Sequence, residues 1–284
     1  MTTLTLGHSP DSDDAFMFYP LAHGRIDTGD LEFEHILQDI ETLNQRATRE
    51  ELDITALSVH AYAYVAGQYA LMPCGASIGD RYGPLVVARE AMALGDLAAR
   101  RIAVPGLMTS AYLALRLALG EFNHVVVPFD RVFDAVAARE ADAGLVIHEG
   151  QLTYEKAGLK KIVDLGEWWF EQTGLPLPLG VNAVRKGLGE LLMRRATRLV
   201  QESITYSLAH RREAVAYALE YARGLDERLA DRFIGMYVND FTVNMGERGR
   251  RAVAALLERG YREGVIPHRV QCEFVEIRNP CPSA

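Results

Sequence analysis

LVVAR at residues 85–89 and LGVNAVR at residues 179–185 decide how the chain is laid out. Each is a short apolar run of strand character that separates one set of alternating strands and helices from the next. Ahead of the first, LTLGHS turns through PDSDD into FMFYPLAHG, which reads as a strand, an acidic cap and a helix ended by Gly24. LEFEHILQD (31–39) is a second strand, a helix follows from Ile40 to Glu50, and LDITALS (52–58) is a third strand feeding VHAYAYVAG. Between the two runs, RIAVPG (101–106), HVVVPFD (124–130), DAGLVIHE (142–149) and KKIVDLG (160–166) read as strands. LMTSAYLALRLALGEF holds a loop and an amphipathic helix, RVFDAVAARE is a helix, and EWWFEQTGLPLPLG reads as a loop punctuated by Pro and Gly. From Gly187 onward the chain is mostly helical.

Strands alternating with helices predict an α/β protein with parallel sheets. The two sets predict two lobes, residues 1–88 plus 183–284 and an inserted 89–182, each with a βα sheet, joined by two crossing segments. A ligand cleft belongs between them, at the carboxyl ends of the strands.

Bulk properties narrow the partner. With 49% hydrophobic and 24% charged residues the chain has the mix of a soluble globular protein. A net charge of −8 argues against nucleic-acid binding, which needs a basic surface to displace phosphate counterions. Cys74, Cys272 and Cys281 are odd in number and form no CxxC pattern, as expected of reduced thiols in a cytoplasmic protein. The opening MTTLTLGHSPDSDD has neither a basic nor a long apolar region, so no secretory signal is expected. No apolar run approaches the length of about 18 residues that spans a bilayer. The expected partner is a small molecule, neither nucleic acid nor membrane, with a homodimer left open.

The polar residues then gather at strand ends. In four βα junctions a small hydroxyl or acidic residue follows the strand: Ser9-Pro10-Asp11 with Asp13 and Asp14, Ser58, Thr109-Ser110-Ala111, and His148-Glu149. Unpaired N–H groups at a helix N-terminus favour anions. A Ser or Thr there either caps its own helix or donates to a ligand carboxylate, and Asp13 and Asp14 read as caps. His148 differs, because a cap does not need it. An imidazole with a pKa near its usual value of about 6.5 can take a proton at neutral pH. His148 is thus either a packed histidine or a general base, and Glu149 either orients it or caps the next helix.

Other patterns are weaker. GASIG (75–79) matches a nucleophile elbow, but Pro73 interrupts the strand that should precede Ser77, and Gly83-Pro84 break the helix that should follow. DSDD lacks the fifth and sixth positions of a calcium loop, where Ala15 and Phe16 stand. No P-loop, dinucleotide fingerprint or metal-ligand spacing occurs, so neither metal nor cofactor is expected. Trp168 and Trp169 read as lobe packing.

Several ordered blocks carry a resemblance: HSPDSDDAFMFYPLAHGRID, ETLN (41–44), TALSVHAYAYV, VPGLMTSAYLAL, AGLVIHEGQLTY, VDLGEWWFEQTGLPLPLG and YVNDFT. Together they resemble the 1,4-dihydroxy-6-naphthoate synthases of the futalosine route to menaquinone. The resemblance implies a two-lobed fold similar to type II periplasmic solute-binding proteins. It implies conversion of cyclic dehypoxanthine futalosine into 1,4-dihydroxy-6-naphthoate without a cofactor, with release of a sugar-derived fragment. It implies His148 as proton acceptor and Ala56, Leu57, Ser58, Ser110 and Ala111 as substrate contacts, with Ser9, Asn44, Thr109 and Glu149 as further candidates. The opening block departs from the family pattern S-P-C-P-N-D-T-F, since Asp11, Ser12 and Asp13 replace Cys, Pro and Asn. An ionised carboxylate facing the cleft would repel a carboxylated substrate, so neither Asp11 nor Asp13 is assigned to binding. The alternative to an enzyme is a cytoplasmic binding module for a small carboxylate, since this fold also serves receptors.

Overall fold

A computed structural model describes residues 1–222 and 225–277. The N-terminal set forms β1 (Thr2–His8), β2 (Leu31–Leu37), β3 (Ile54–Ser58), β4 (Tyr69–Leu71) and β5 (Ser77–Gly79), with helices α1 (Ser12–Ala22), α2 (Ile40–Ala47) and α3 (Val59–Val65). The middle set forms β6 (Leu85–Ala88), β7 (Arg101–Val104), β8 (Asn123–Val126), β9 (Ala143–Val146) and β10 (Lys160–Asp164), with α4 (Ser110–Leu119), α5 (Val132–Ala137) and α6 (Leu165–Thr173). β11 (Leu177–Arg185) then leads into α7 (Glu190–Ala209), α8 (Arg211–Ala218), α9 (Glu227–Tyr237), α10 (Asp240–Val243) and α11 (Gly246–Arg262).

The strands assort into two sheets, as an α/β chain with two lobes requires. One runs β2-β1-β3-β11-β4 with β5 also on β11, and the other runs β10-β6-β9-β7-β8. The sheets are mixed, which corrects the expectation of parallel ones. β1 pairs in parallel with β2 and β3, and β7 with β8 and β9. β11 is antiparallel to β3, β4 and β5, and β6 to β9 and β10. The cause is topological. A strand in a βα unit runs toward the cleft, whereas a strand entered from the opposite sheet starts at the cleft and runs away from it. β6 and β11 are the two strands entered that way, so the chain changes sheet between Gly79 and Leu85 and returns between Thr173 and Leu177.

A second difference concerns residues 167–180, expected as a loop: residues 167–173 belong to α6 and β11 begins at Leu177. The Asp164 carboxylate accepts from the N–H groups of Gly166 and Glu167, and Gly174 closes the helix with a φ of 69°. Between those caps Trp169 is buried, and its indole N–H donates to Pro176 O at 3.1 Å. Trp168 lies beneath the Arg259 guanidinium of α11.

The core is continuous across the sheets. One cluster joins Leu57, Leu71 and Ile78 of the first to Val86, Ile102, Val104 and Leu145 of the second, with α11 residues Val253, Leu256 and Leu257. A second fills the space between β1, β3 and helices α1 and α7–α9. Beyond α11 the chain returns to the first sheet, where Leu71 bridges to Phe274. Cys74 and Cys272 are free thiols, and Cys281 lies outside the described residues. Among the described residues no helix is long and apolar enough to cross a membrane.

Candidate active site

A cleft of about 750 Å³, counting its open mouth, lies where the strand ends of both sheets meet. That is the size of a small-molecule site. Ser9, Ala56, Ser58, Thr109, Ser110 and Ala111 line it, so three of the four expected junctions converge there.

Strand periodicity sorts the TALS block. Ala56 and Ser58 face the cleft, while Leu57 between them is fully buried in the core cluster. Ser58 ends β3 and precedes α3, yet it does not cap that helix. Asn44, buried on α2, grips it instead: Ser58 N–H donates to Asn44 Oδ1 at 2.9 Å, and Asn44 Nδ2 donates to Ser58 Oγ at 3.0 Å. The Ser58 hydroxyl proton goes to no described residue and remains available to a ligand.

At the next junction the hydroxyls are already committed. Thr109 caps α4, accepting from Tyr112 N–H at 3.1 Å and donating to Gly106 O at 3.0 Å. The Ser110 hydroxyl donates to Leu179 O at 2.5 Å and accepts from His60 N–H at 3.2 Å, stitching β11, α3 and α4 together. What α4 offers a ligand is its first amides, for the N–H groups of Ser110 and Ala111 meet no described acceptor.

The fourth junction differs most from expectation. His148 does act as a cap: its Nδ1 accepts from Gly150 N–H at 3.1 Å, ahead of the 3₁₀ turn Glu149–Leu152. Its Nε2 lies 2.9 Å from Phe129 O. A carbonyl only accepts and an amide only donates, so the ring is neutral with its proton on Nε2. Ile147 reaches the cleft wall; the imidazole sits behind it, with a side chain 14% exposed. Glu149 caps a helix, but not its own. Its Oε1 accepts from Ser12 Oγ–H at 3.0 Å and, more loosely, from Ser12 N–H at 3.4 Å, at the start of α1 on the other side of the cleft. Its Oε2 is buried without a hydrogen bond, 3.7 Å from His148 Nδ1.

Other lining residues were not anticipated. Asp13 and Asp14, expected as caps, lie inside the first turn of α1 and face the cleft. Asp14 Oδ2 accepts from Ser9 N–H at 2.7 Å and Asp11 Oδ2 from Ser9 Oγ–H at 2.9 Å, closing the loop before α1. Burial, with the Asp11 charge beside it, raises the Asp14 carboxyl to about 7. Burial again, then the charges of Asp14, Asp11 and Glu149, holds Asp13 well above the carboxylate range. Ser77 lines the cleft from the short strand β5, without the strand–turn–helix setting of a nucleophile elbow. Asn182 lies across β11, its Nδ2 donating to Gly75 O at 3.1 Å. Phe233 and Tyr237 enter from α9, and their four-residue spacing on one helical face was a readable signal. Among the described residues, no arginine or lysine lines the cleft.

Residues 4–262 match the family described as menaquinone biosynthesis. The chain belongs to the menaquinone biosynthesis family. A relative from Thermus thermophilus named 1,4-dihydroxy-6-naphthoate synthase is 43% identical over 265 residues, covering 93% of this chain and 96% of its own. A solved structure from Archaeoglobus fulgidus is 48% identical with a TM-score of 0.90, covering 93% of this chain and 98% of that one. The alkanesulfonate-binding protein SsuA from Xanthomonas axonopodis pv. citri superposes with a TM-score of 0.72 at 12% identity, covering 95% and 96% of the two chains. At that identity the likeness is one of fold. This menaquinone biosynthesis family member has the α/β architecture of a periplasmic binding protein.

Proposed function

We propose that the chain is a 1,4-dihydroxy-6-naphthoate synthase, a cytoplasmic lyase that converts cyclic dehypoxanthine futalosine inside the cleft. Family membership and the named relative support the activity. The substrate carboxylate is held by the Ser58 hydroxyl and the first amides of α4, at Ser110 and Ala111. Nδ1 of neutral His148 removes a proton from the carbocycle. The C–H electron pair forms a ring double bond, the ribose-derived fragment leaves with the electron pair of its broken bond and takes up a proton, and aromatisation drives the step.

One observation carries the role of His148: the unbonded Oε2 of Glu149 lies 3.7 Å from Nδ1. A proton arriving on Nδ1 gains a carboxylate partner that the neutral ring lacks. To accept it, Nδ1 gives up Gly150 N–H, so the 3₁₀ turn moves as the lobes close on substrate. The test incubates the purified protein with cyclic dehypoxanthine futalosine and follows naphthoate absorbance. We expect turnover in the wild type, and its loss with retained binding in His148→Asn. Unchanged ligand bound in stoichiometric amount identifies a binding module instead, and turnover by His148→Asn removes the histidine from the mechanism.

A further inference from the structure

The donors proposed for the ligand's carboxylate stand on different sheets. The Ser58 hydroxyl ends β3 of the first, and the amides of Ser110 and Ala111 open α4, which follows β7 of the second. To grip one anion they must be held at a fixed separation, and α2 connects the two. Its residues Glu41 and Asn44 are three positions apart and so project from one helical face. Asn44 holds Ser58 through two bonds, at 2.9 and 3.0 Å. Glu41 reaches the loop between β7 and α4, where its Oε2 accepts from Met108 N–H at 3.2 Å. One turn on, the Gln45 amide donates to Met108 Sδ at 3.1 Å. Among the described residues, Ile40 of this helix borders the cleft and Glu41 does not. Any influence of Glu41 on a ligand therefore passes through its neighbours.

We propose that Glu41 is a positioning residue for anion binding, holding the amide end of α4 at the separation from Ser58 that one carboxylate spans. The inference rests on the carboxylated substrate of the proposed function and names what keeps its two donors in register. The loop is shaped to receive Glu41. A Cβ at Gly106 would lie 2.4 Å from Glu41 Oε2 and 2.5 Å from its Cδ, so glycine lets the side chain rest against the backbone. Gly106 O in turn accepts the Thr109 hydroxyl at 3.0 Å, and Thr109 caps α4. Burial raises the Glu41 carboxyl, and the N–H groups of Met108 and Leu107 draw it down again. From the other side, His60 of α3 meets Thr109 O and the Ser110 hydroxyl. The start of α4 is thus fastened from both α2 and α3. Without Glu41 the α3 bonds remain as a pivot, and the amides swing away from Ser58. Hydrogen bonds weaken steeply outside a narrow range of distance and angle, so the anion then keeps one set of donors and loses the other.

The test measures the affinity of 1,4-dihydroxy-6-naphthoate, kept under nitrogen, by calorimetry on the full chain as wild type, Glu41→Ala, Ser58→Ala and the double variant. Glu41→Ala weakens binding at least about fivefold against wild type, but less than about twofold in the Ser58→Ala background. The second loss is small because a ligand without Ser58 simply follows the amides. Gly106→Ala shows the same pattern with Glu41 still present. Its methyl meets the far end of a flexible side chain, and so displaces the carboxylate without disrupting the loop. An equal loss in both backgrounds makes Glu41 a packing residue of the loop and overturns the proposal. Unchanged affinity of Glu41→Ala against wild type overturns it as well. If Glu41→Ala misfolds, Gly106→Ala in the two backgrounds decides by the same ratios. Wild type that shows this coupling, yet forms no naphthoate from cyclic dehypoxanthine futalosine, strikes the proposed activity and leaves the role of Glu41 standing. Wild type that binds no naphthoate overturns both.

Discussion

Two serines at neighbouring strand ends have the same sequence appearance and different work. Ser58 holds its proton free because Asn44 supplies one donor and one acceptor to it; Ser110 has given its proton to Leu179 O. Ser58→Ala therefore weakens ligand binding by about tenfold or more, the worth of a charge-assisted bond of roughly 1.5–3 kcal/mol, and also costs about 1–3 kcal/mol of stability by leaving the buried Asn44 Nδ2 without its acceptor. Ser110→Ala costs stability alone, about 1–3 kcal/mol through an unpaired carbonyl, while affinity moves less. Titration calorimetry separates the two. Asp13 adds a pH-dependent case. Its folded pKa lies above the unfolded value, so stability is present at low pH and lost as pH rises through the folded value. Asp13→Asn removes that loss. The variant should melt above the wild type by about 2–4 °C per kcal/mol recovered at pH 8, with the gain shrinking toward pH 5. Part of the cleft's lining was legible in advance, because serines and a threonine after strands mark cleft positions, whereas the imidazole of His148 lies behind the wall. What escaped was pairing. Nothing in LVIHEG states that Gly150 N–H and Phe129 O occupy the imidazole, or that Glu149 caps a helix 137 positions earlier in the chain.

Among the elements, the one misread as a loop is closely packed at its start. α6 begins against the first crossing segment, where an added Cβ at Gly166 would lie 1.9 Å from Tyr82 O and 2.6 Å from Gly83 N. These are backbone atoms, which cannot swing aside. Gly166→Ala should therefore shift the crossing segment, destabilise the protein by about 2 kcal/mol or more as overpacking does, and loosen the cleft wall at Pro84. A melt within 1 °C of the wild type would contradict this account. The reading failed at α6 because Pro and Gly after residue 173 dominated it. The caps at Asp164 and Gly174 were equally visible signals of a helix between them. The same distinction applies to the sheets. Strand positions followed from apolar periodicity, but the reversed direction of β6 and β11 follows only once the sheet joined by each is known. A clasp spans the cleft from α1 to the 3₁₀ turn through Ser12 and Glu149, and from α9 through Tyr237 and Gln151. Tyr237→Phe should leave Gln151 with one fewer partner and slow lobe closure, visible as a lower kcat with KM nearly unchanged.

The two lobes share one hydrophobic core, so their junction carries stability as well as motion. His60 sits in that junction. It follows β3 on α3, its Nδ1 donates to Thr109 O of the other lobe at 3.3 Å, and its Nε2 is buried without a partner. Burial lowers its pKa to about 4, with the Thr109 carbonyl pulling it back up and Arg116 pushing it further down. The folded value lies below the unfolded one, so the native ring stays neutral while the unfolded chain binds a proton below about pH 6.5. The stability this histidine permits is complete above pH 6.5 and declines as pH falls toward 4. His8 and His35, hydrogen-bonded to each other at 3.0 Å and each lowered to about 4, act in the same direction within the first lobe. Asp14 and Asp164, raised to about 7 and about 6, act in the opposite direction over much of that interval. The wild-type profile is therefore a sum of opposing slopes, and a difference between variants isolates one group. Urea unfolding of His60→Asn and wild type, compared at pH 6.5 and pH 4.5, should show the variant gaining on the wild type by about 2–3 kcal/mol. Parallel profiles would mean that the junction opens to water before His60 takes up its proton.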